Sequence, residues 1–226
     1  DTSLDFQEIE QESYQKFSVQ ENMIVKIRPE WNNFDDYLQA MSSKYRVRAK
    51  RAFKKGKLIE KKELSLDEID QYNDRIFELY QNIVKHAPFN TLFLNERYFY
   101  GLKEYLKDNF KLTGYFIEGK LIGFYTLIFG KNDVDAHFLG LDNAYNNKHQ
   151  VYLNMLYDMI RASIDSGKKE VIMARTALEI KSSVGAEPFG MFVYTKFQNP
   201  IINTFLKRFA NDWITPAKWT QRKPFK

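Results

Sequence analysis

The chain contains no cysteine. That excludes disulfides, thiolate metal sites and a cysteine nucleophile, and it fits a reducing cytoplasm. Long apolar runs are missing as well. The longest, "LIGFYTLIFG" at 121–130, stops after ten residues, about half of the ~20 that a membrane-spanning helix needs. The acidic start, "DTSLDFQEIEQESYQ", lacks the charged-then-apolar order of a signal peptide. Zinc-ligand spacing, a Walker A loop, a dinucleotide fingerprint and a G-x-S-x-G elbow are all absent. The three histidines, His86, His137 and His149, fall on separate predicted elements, so no metal role is expected. There is no internal repeat and no low-complexity block.

What is present is enough for a sizeable core. The 226 residues are 44% hydrophobic and 16% aromatic, which suits one large domain, or one domain with flanks. The net charge of +5 suits a phosphate-bearing partner without requiring one. The chain opens on Asp1 rather than methionine, which leaves an upstream domain as an open expectation.

Periodicity gives the element order. Residues 16–27 read as one or two short strands. "NNFDDYLQAMSSKYRVRAKRAFKKGK" reads as a helix or helix pair with Tyr45, Ala49, Ala52 and Phe53 near one face. "KLIEKKEL" reads as a strand. Ser65 and Glu68 have capping-box spacing, followed by Ile69, Tyr72, Ile76, Leu79 and Ile83 at helical intervals, with Pro88 beyond the end. Asn95 opens a further helix with Phe99, Leu102 and Leu106 inward. Turn signals at Glu118-Gly119 and Gly130 to Asp133 divide the next stretch into a three-stranded antiparallel meander. A helix ending at Gly167 follows, then a strand at 170–175, a short helix near 177–183, a strand at 190–196 and a helix near 200–209. The apolar runs Val171 to Met173 and Met191 to Tyr194 read as buried strands, with Gly185 turning the chain between them.

This order resembles the GNAT acyltransferase fold. The segments "SSKYRVRAKRAFKKGK", "AHFLGLDNAYNN" and "LNMLYDMIRASIDSGKKEVIMARTALEIKSSVGAEP" are similar to the branch that includes Fem-like peptidoglycan-bridge transferases and related acetyltransferase-like proteins. The expected fold is α/β (α+β), with a GNAT-like mixed, mostly antiparallel sheet flanked by helices. Residues 1–34 would be an N-terminal extension or the remnant of a preceding module, 35–212 the GNAT-like acyltransferase domain, and 213–226 a basic C-terminal tail.

The resemblance implies direct attack by an amine acceptor on an acyl or aminoacyl donor, either acyl-CoA (acetyl-CoA) or aminoacyl-tRNA, in the cytoplasm. The donor would sit where strands 133–142 and 170–175 splay. Backbone N–H groups at Leu139, Gly140 and Leu141 would polarise its carbonyl, each good donor being worth ~3 kcal/mol. Gly140 would allow the bulge that opens the splay. The usual glycine-rich pyrophosphate loop is replaced by "DNAYNNKHQ", so Asn146, Asn147 and Lys148 are the substitute donor contacts.

Lys181 occupies the place of an active-centre lysine in Fem-like transferases, where an ammonium would hold a donor phosphate or the developing oxyanion. Its plain alternative is a solvated surface lysine. Arg175 is either a carboxylate or phosphate fork or the partner of Glu179, four residues on. His137 is a candidate base. Strict alternation puts it on one side with Asp135 and Leu139, opposite Phe138. Asp142 is an acid/base candidate or a helix cap. Glu179 and Tyr194 are further acid/base candidates.

The other strong feature is a basic block. Lys44, Arg48, Arg51 and Lys55 fall on one helical face, and Arg46, Lys50, Lys54 and Lys57 on another. Such density repels itself unless an anion is near. The block is therefore a dock for tRNA, a coenzyme phosphate or a phosphorylated lipid-linked substrate, or else a solvated face. The rival to an enzyme is a non-catalytic GNAT-like module that docks an anionic partner through this helix.

Overall fold

The computed structural model describes residues 14–85, 93–199 and 219–226. The helix expected near 200–209 lies outside these residues, as do His86, Pro88, the first thirteen residues and 213–218 of the tail.

The chain opens with β1 (Gln15–Lys26), α1 (Phe34–Ala40), α2 (Ser43–Lys55) and β2 (Glu60–Glu63). Three helices follow, α3 (Leu66–Gln71), α4 (Asn73–Val84) and α5 (Tyr98–Leu106). The meander is β3 (Phe110–Ile117), β4 (Lys120–Phe129) and β5 (Asp133–Leu141). Then come α6 (Asn143–His149), α7 (Val151–Asp165), β6 (Glu170–Ile172), α8 (Leu178–Ser182) and β7 (Glu187–Thr195).

The strands form one sheet in the order β2-β3-β4-β5-β6-β1-β7. Every neighbouring pair is antiparallel except β5 and β6, which run parallel. The fold is therefore a mixed, mostly antiparallel sheet with helices on both faces, as expected. Alternation along the strands supplies both layers. Ile122, Tyr125 and Val134 pack with Phe34 and Tyr37 of α1, Ala49 of α2, and Leu153 and Ile160 of α7. Leu112, Leu121 and Phe124 pack against Ile69, Ile76, Leu79 and Phe99 of α3 to α5.

Local signals explain several boundaries. Ser65 and Glu68 close the expected capping box, each satisfying a backbone donor of the other. The helix they start does not run unbroken to Ile83, because Tyr72 interrupts it and separates α3 from α4. Asn33 and Asp36 form a second capping box at α1. Gly185 turns at φ +99 with the Phe225 ring directly against it, which leaves no room for a side chain.

Four local differences from the sequence reading have physical causes. β6 ends at Ile172 rather than 175, where Ala174 adopts a left-handed φ of 58. β7 is not buried: among the described residues it is the edge strand of the sheet, paired on one side, and Phe192 and Val193 are exposed. "DNAYNNKHQ" is not a loop but holds α6, started by the Asp142 carboxylate accepting from Ala144 N–H. β1 is one bent strand, with a bulge between Val19 and Asn22, and it lies between β6 and β7. The described end of the tail also packs on this body: Phe225 touches Trp31 and Tyr37, and Ser42 N–H donates to Pro224 O.

Candidate functional site

The parallel pair is short. β5 and β6 are in register only from Asp133 opposite Glu170 to Asp135 opposite Ile172. Beyond that point β6 turns away and β5 continues to Leu141, so the two strands part. On its other side β5 stays paired with β4, and the pairing fixes which amides face the gap. Asp142 N–H donates to Ile122 O and Phe138 N–H to the Thr126 hydroxyl, both toward β4. Antiparallel alternation then turns the amides of Leu139 and Leu141 toward the open side, and Gly140 toward β4.

The bulge lies at His137 and Phe138, opposite Thr126, rather than at Gly140. The Thr126 hydroxyl donates to Phe138 O at 2.8 Å and accepts from its N–H at 2.9 Å, standing in for a strand partner. Gly140 serves close packing: a Cβ there would come within 2.6 Å of the α4 backbone at Leu79 and Tyr80. The bulge also overturns simple alternation. His137 and Phe138 share a face, their rings 4.6 Å apart, while Leu139 packs into the other layer.

His137 is hydrogen-bonded through one ring nitrogen and faces a carboxylate at the other. Nε2 lies 2.6 Å from the Tyr98 hydroxyl and Nδ1 lies 3.7 Å from Asp135. The Tyr98 phenol is pushed above its usual range by burial, with Asp135 and Tyr80 adding to the effect.

On the opposite face lies a cleft of about 930 Å³, lined by Lys44, Arg48, Arg51 and Lys55 of α2, Gln150 ahead of α7, and Glu179 and Arg222. Its walls come from elements that adjoin the parted strands. α6 and then α7 follow β5, with Val151 of α7 against Gly123 beside the Gly140 carbonyl, and Glu179 belongs to the helix that follows β6. One of the two expected basic faces therefore lines a real groove. Of the docking candidates, Arg48 and Arg51 point there, whereas Arg46, Lys50 and Lys54 are not among its walls. None of the α2 cations forms an ion pair among the described residues. Asn154 fixes the helix in place: its amide donates to Ala52 O on α2 at 3.0 Å and to Gln150 O at 3.0 Å.

Lys181 is buried, only 4% exposed. Its ammonium donates to Ala174 O at 3.3 Å, and burial pushes its pKa down to about 8. The same carbonyl accepts from Met23 N–H of β1, so the ammonium sits behind the loop leaving β6 and lines neither the groove nor the smaller cavity under Trp219. It has no carboxylate partner among the described residues. Its neighbour Ile180 does reach the groove.

The remaining candidates are scattered. Both Asp142 oxygens are engaged, one capping Ala144 and the other on Arg75 at 3.0 Å, and its carboxyl is held below the usual range despite partial burial. Asn146 caps the Tyr152 N–H at 3.0 Å, while Asn147 and Lys148 are exposed. Arg175 is exposed, and Glu179 pairs with Arg222 rather than with it. Tyr194 lies on β7, separated from the parted pair by β1. Sequence reasoning missed Tyr98, Arg222, Gln150 and Thr126. No periodic or motif signal marks them, because each is brought in by tertiary packing. No group of three or more His, Cys, Asp or Glu able to hold a metal occurs among the described residues. None of the described helices is long and apolar enough to cross a membrane.

The parted parallel pair in a mixed sheet defines a GNAT-like fold, in the form shared with FemX. The chain is similar to FemX at 12% identity, with 88% of this chain and 70% of that chain covered and a TM-score of 0.61. It is also similar to the C-terminal domain of a putative lysylphosphatidylglycerol synthetase from Agrobacterium fabrum (9% identity, 92% and 69% covered, TM-score 0.58). A conserved protein of unknown function from Bacteroides thetaiotaomicron is a third (13% identity, 84% and 64% covered, TM-score 0.59). These are likenesses of fold, and this chain spans about two thirds of the length of each. No protein-family model and no curated protein matches the sequence.

Proposed function

We propose that the protein is an N-acyltransferase that moves an acyl or aminoacyl group from a phosphate-bearing donor to an amine by direct attack. The observation that carries this reading is the parting of β5 from β6 beside a groove whose α2 wall carries four cations with no ion pair among the described residues. The donor's phosphates would lie in the groove and its carbonyl would reach the outward amides of Leu139 and Leu141. Fixed donors there would stabilise the oxyanion of the attack. Lys181, a buried ammonium without a carboxylate, would add positive charge on the β6 side as the donor seats.

Of the two donor classes, the geometry favours aminoacyl-tRNA. Lys44, Arg48, Arg51 and Lys55 span twelve helical residues, about 16 Å of rise from first to last. A row of that length suits a run of backbone phosphates better than a single pyrophosphate. With α6 in place of a glycine loop, the backbone cradle for a coenzyme pyrophosphate has no counterpart. Such a donor places the activity in the cytoplasm.

The same α6 favours a second reading, a non-catalytic module that docks an anionic partner on α2. One experiment separates them. Thermal shift and loss of labelled acyl group are measured with acetyl-CoA, charged tRNA and uncharged tRNA, with a simple amine present. The transferase reading expects charged tRNA to raise Tm and to lose its label to the amine. Binding of both tRNAs without label transfer supports the module. A response to no donor overturns both.

A further inference from the structure

His137 is poorly placed to take a proton directly, because its Nε2 already faces the Tyr98 hydroxyl at 2.6 Å. The two rings stack at 5.9 Å, and Tyr98 in turn packs edge-on against Phe99 and Phe138. Asp135 stands beside Nδ1. A carboxylate at that nitrogen favours the tautomer with the proton on Nδ1 and leaves Nε2 as the acceptor. The phenol must then be the donor of the 2.6 Å bond. Burial keeps it protonated, so this arrangement holds at neutral pH. The bulge pinned by Thr126 turns His137 onto the α5 face, opposite the groove that would hold the donor's phosphates.

We propose that Tyr98, not His137, is the side chain that touches the attacking amine, with His137 behind it as the proton acceptor. This rests on the transferase reading above. The amine lone pair forms the new N–C bond, and the donor's C–O or C–S bond breaks with its electron pair going to the leaving group. A proton of the attacking nitrogen passes to the Tyr98 oxygen while the phenolic proton passes to His137 Nε2. The resulting imidazolium is balanced by Asp135. It returns its proton through Tyr98 to the leaving oxygen or sulfur, which restores both side chains. Among the described residues, the titratable groups beside the pair are Asp135 on β5 and Tyr80 on α4.

The test uses the full chain and two readouts. Nitrogen-15 spectra of the imidazole should show His137 neutral with a protonated Nδ1 and an acceptor Nε2, and Tyr98→Phe should shift the Nε2 signal. A protonated Nε2 in the neutral wild-type ring overturns the proposal whether or not the chain is an enzyme. In the charged-tRNA assay, Tyr98→Phe should lower kcat about 10²-fold or more with KM within about twofold, in the range of general acid–base groups. Tyr98→Phe combined with His137→Gln should be no slower than the slower single variant, as expected for residues that act as a unit. Turnover in Tyr98→Phe equal to wild type sinks the relay while leaving the transferase intact. A wild-type chain that transfers nothing sinks the transferase reading, and the relay as a catalytic step with it.

Discussion

The Lys181 ammonium donates to the Ala174 carbonyl at 3.3 Å, and Ala174 itself sits at a left-handed φ of 58. A buried charge thus rests on the one carbonyl that the turn after β6 offers it. Its depressed pKa means that, between about 8 and the ordinary lysine value, the unfolded chain binds more protons than the folded one. Stability should therefore rise with pH across that window, by an amount on the order of 3 kcal/mol. Below about pH 8 both states are protonated and the whole penalty is present. Lys181→Met should remove this slope, raise Tm at pH 7 and abolish transfer. Urea titrations at pH 7 and pH 10 check the first two claims, and a flat wild-type profile would contradict them.

Asn154 joins α7 to α2 through one amide shared among Ala52, His149 and Gln150 carbonyls. Asn154→Ala should cost roughly 1–3 kcal/mol from the lost buried side-chain hydrogen bonds. It should also weaken polyanion binding, because the basic row loses its anchor to the groove. Denaturation midpoints and RNA titrations on the same variant read both effects.

The two faces of α2 should behave differently. Arg48→Gln or Arg51→Gln should weaken RNA binding and flatten the dependence of log K on log salt by about 0.7 per lost phosphate contact. Lys50→Gln, on the face outside the groove, should change the slope by much less. Equal effects from the two faces would argue against the groove as the dock.

Among the described residues Glu179 is the only carboxylate lining the basic groove, and it holds Arg222. It acts there as a resident anion that an incoming phosphate must displace. Glu179→Gln should tighten RNA binding severalfold and leave the fold intact, since both side chains are partly exposed. Weaker binding in that variant would show that Glu179 orients Arg222 instead.

Much of the architecture is legible in the sequence because it is local. The Ser65–Glu68 capping box, the continuous apolar run of β4 and the apolar face of α7 each announce themselves within a few residues. The basic face of α2 is legible for the same reason. What is not legible is long-range or irregular. Thr126 replaces a backbone partner with its hydroxyl, and that single substitution of roles reverses which way Leu139 faces. Tyr98 meets His137 across 39 positions, and Arg222 meets Glu179 across 43. No periodicity encodes such meetings. α6 escapes because its polar, asparagine-rich composition reads as loop, while the Asp142 cap and the Tyr145–His149 stacking hold it helical.

The place of β1 has a consequence for how the molecule is made. It is the first of the described strands, yet both of its sheet neighbours, β6 and β7, are the last two of them. During synthesis, Met23 and Val25, fully buried at the end, must wait for partners about 150 residues further along. The meander and its helices can assemble from neighbouring segments, but the sheet closes only once residues 170–195 have emerged. Closure of so distant a pairing is the slow step that contact order predicts. Until then the nascent chain carries an unpaired apolar strand, the kind of surface that chaperones bind.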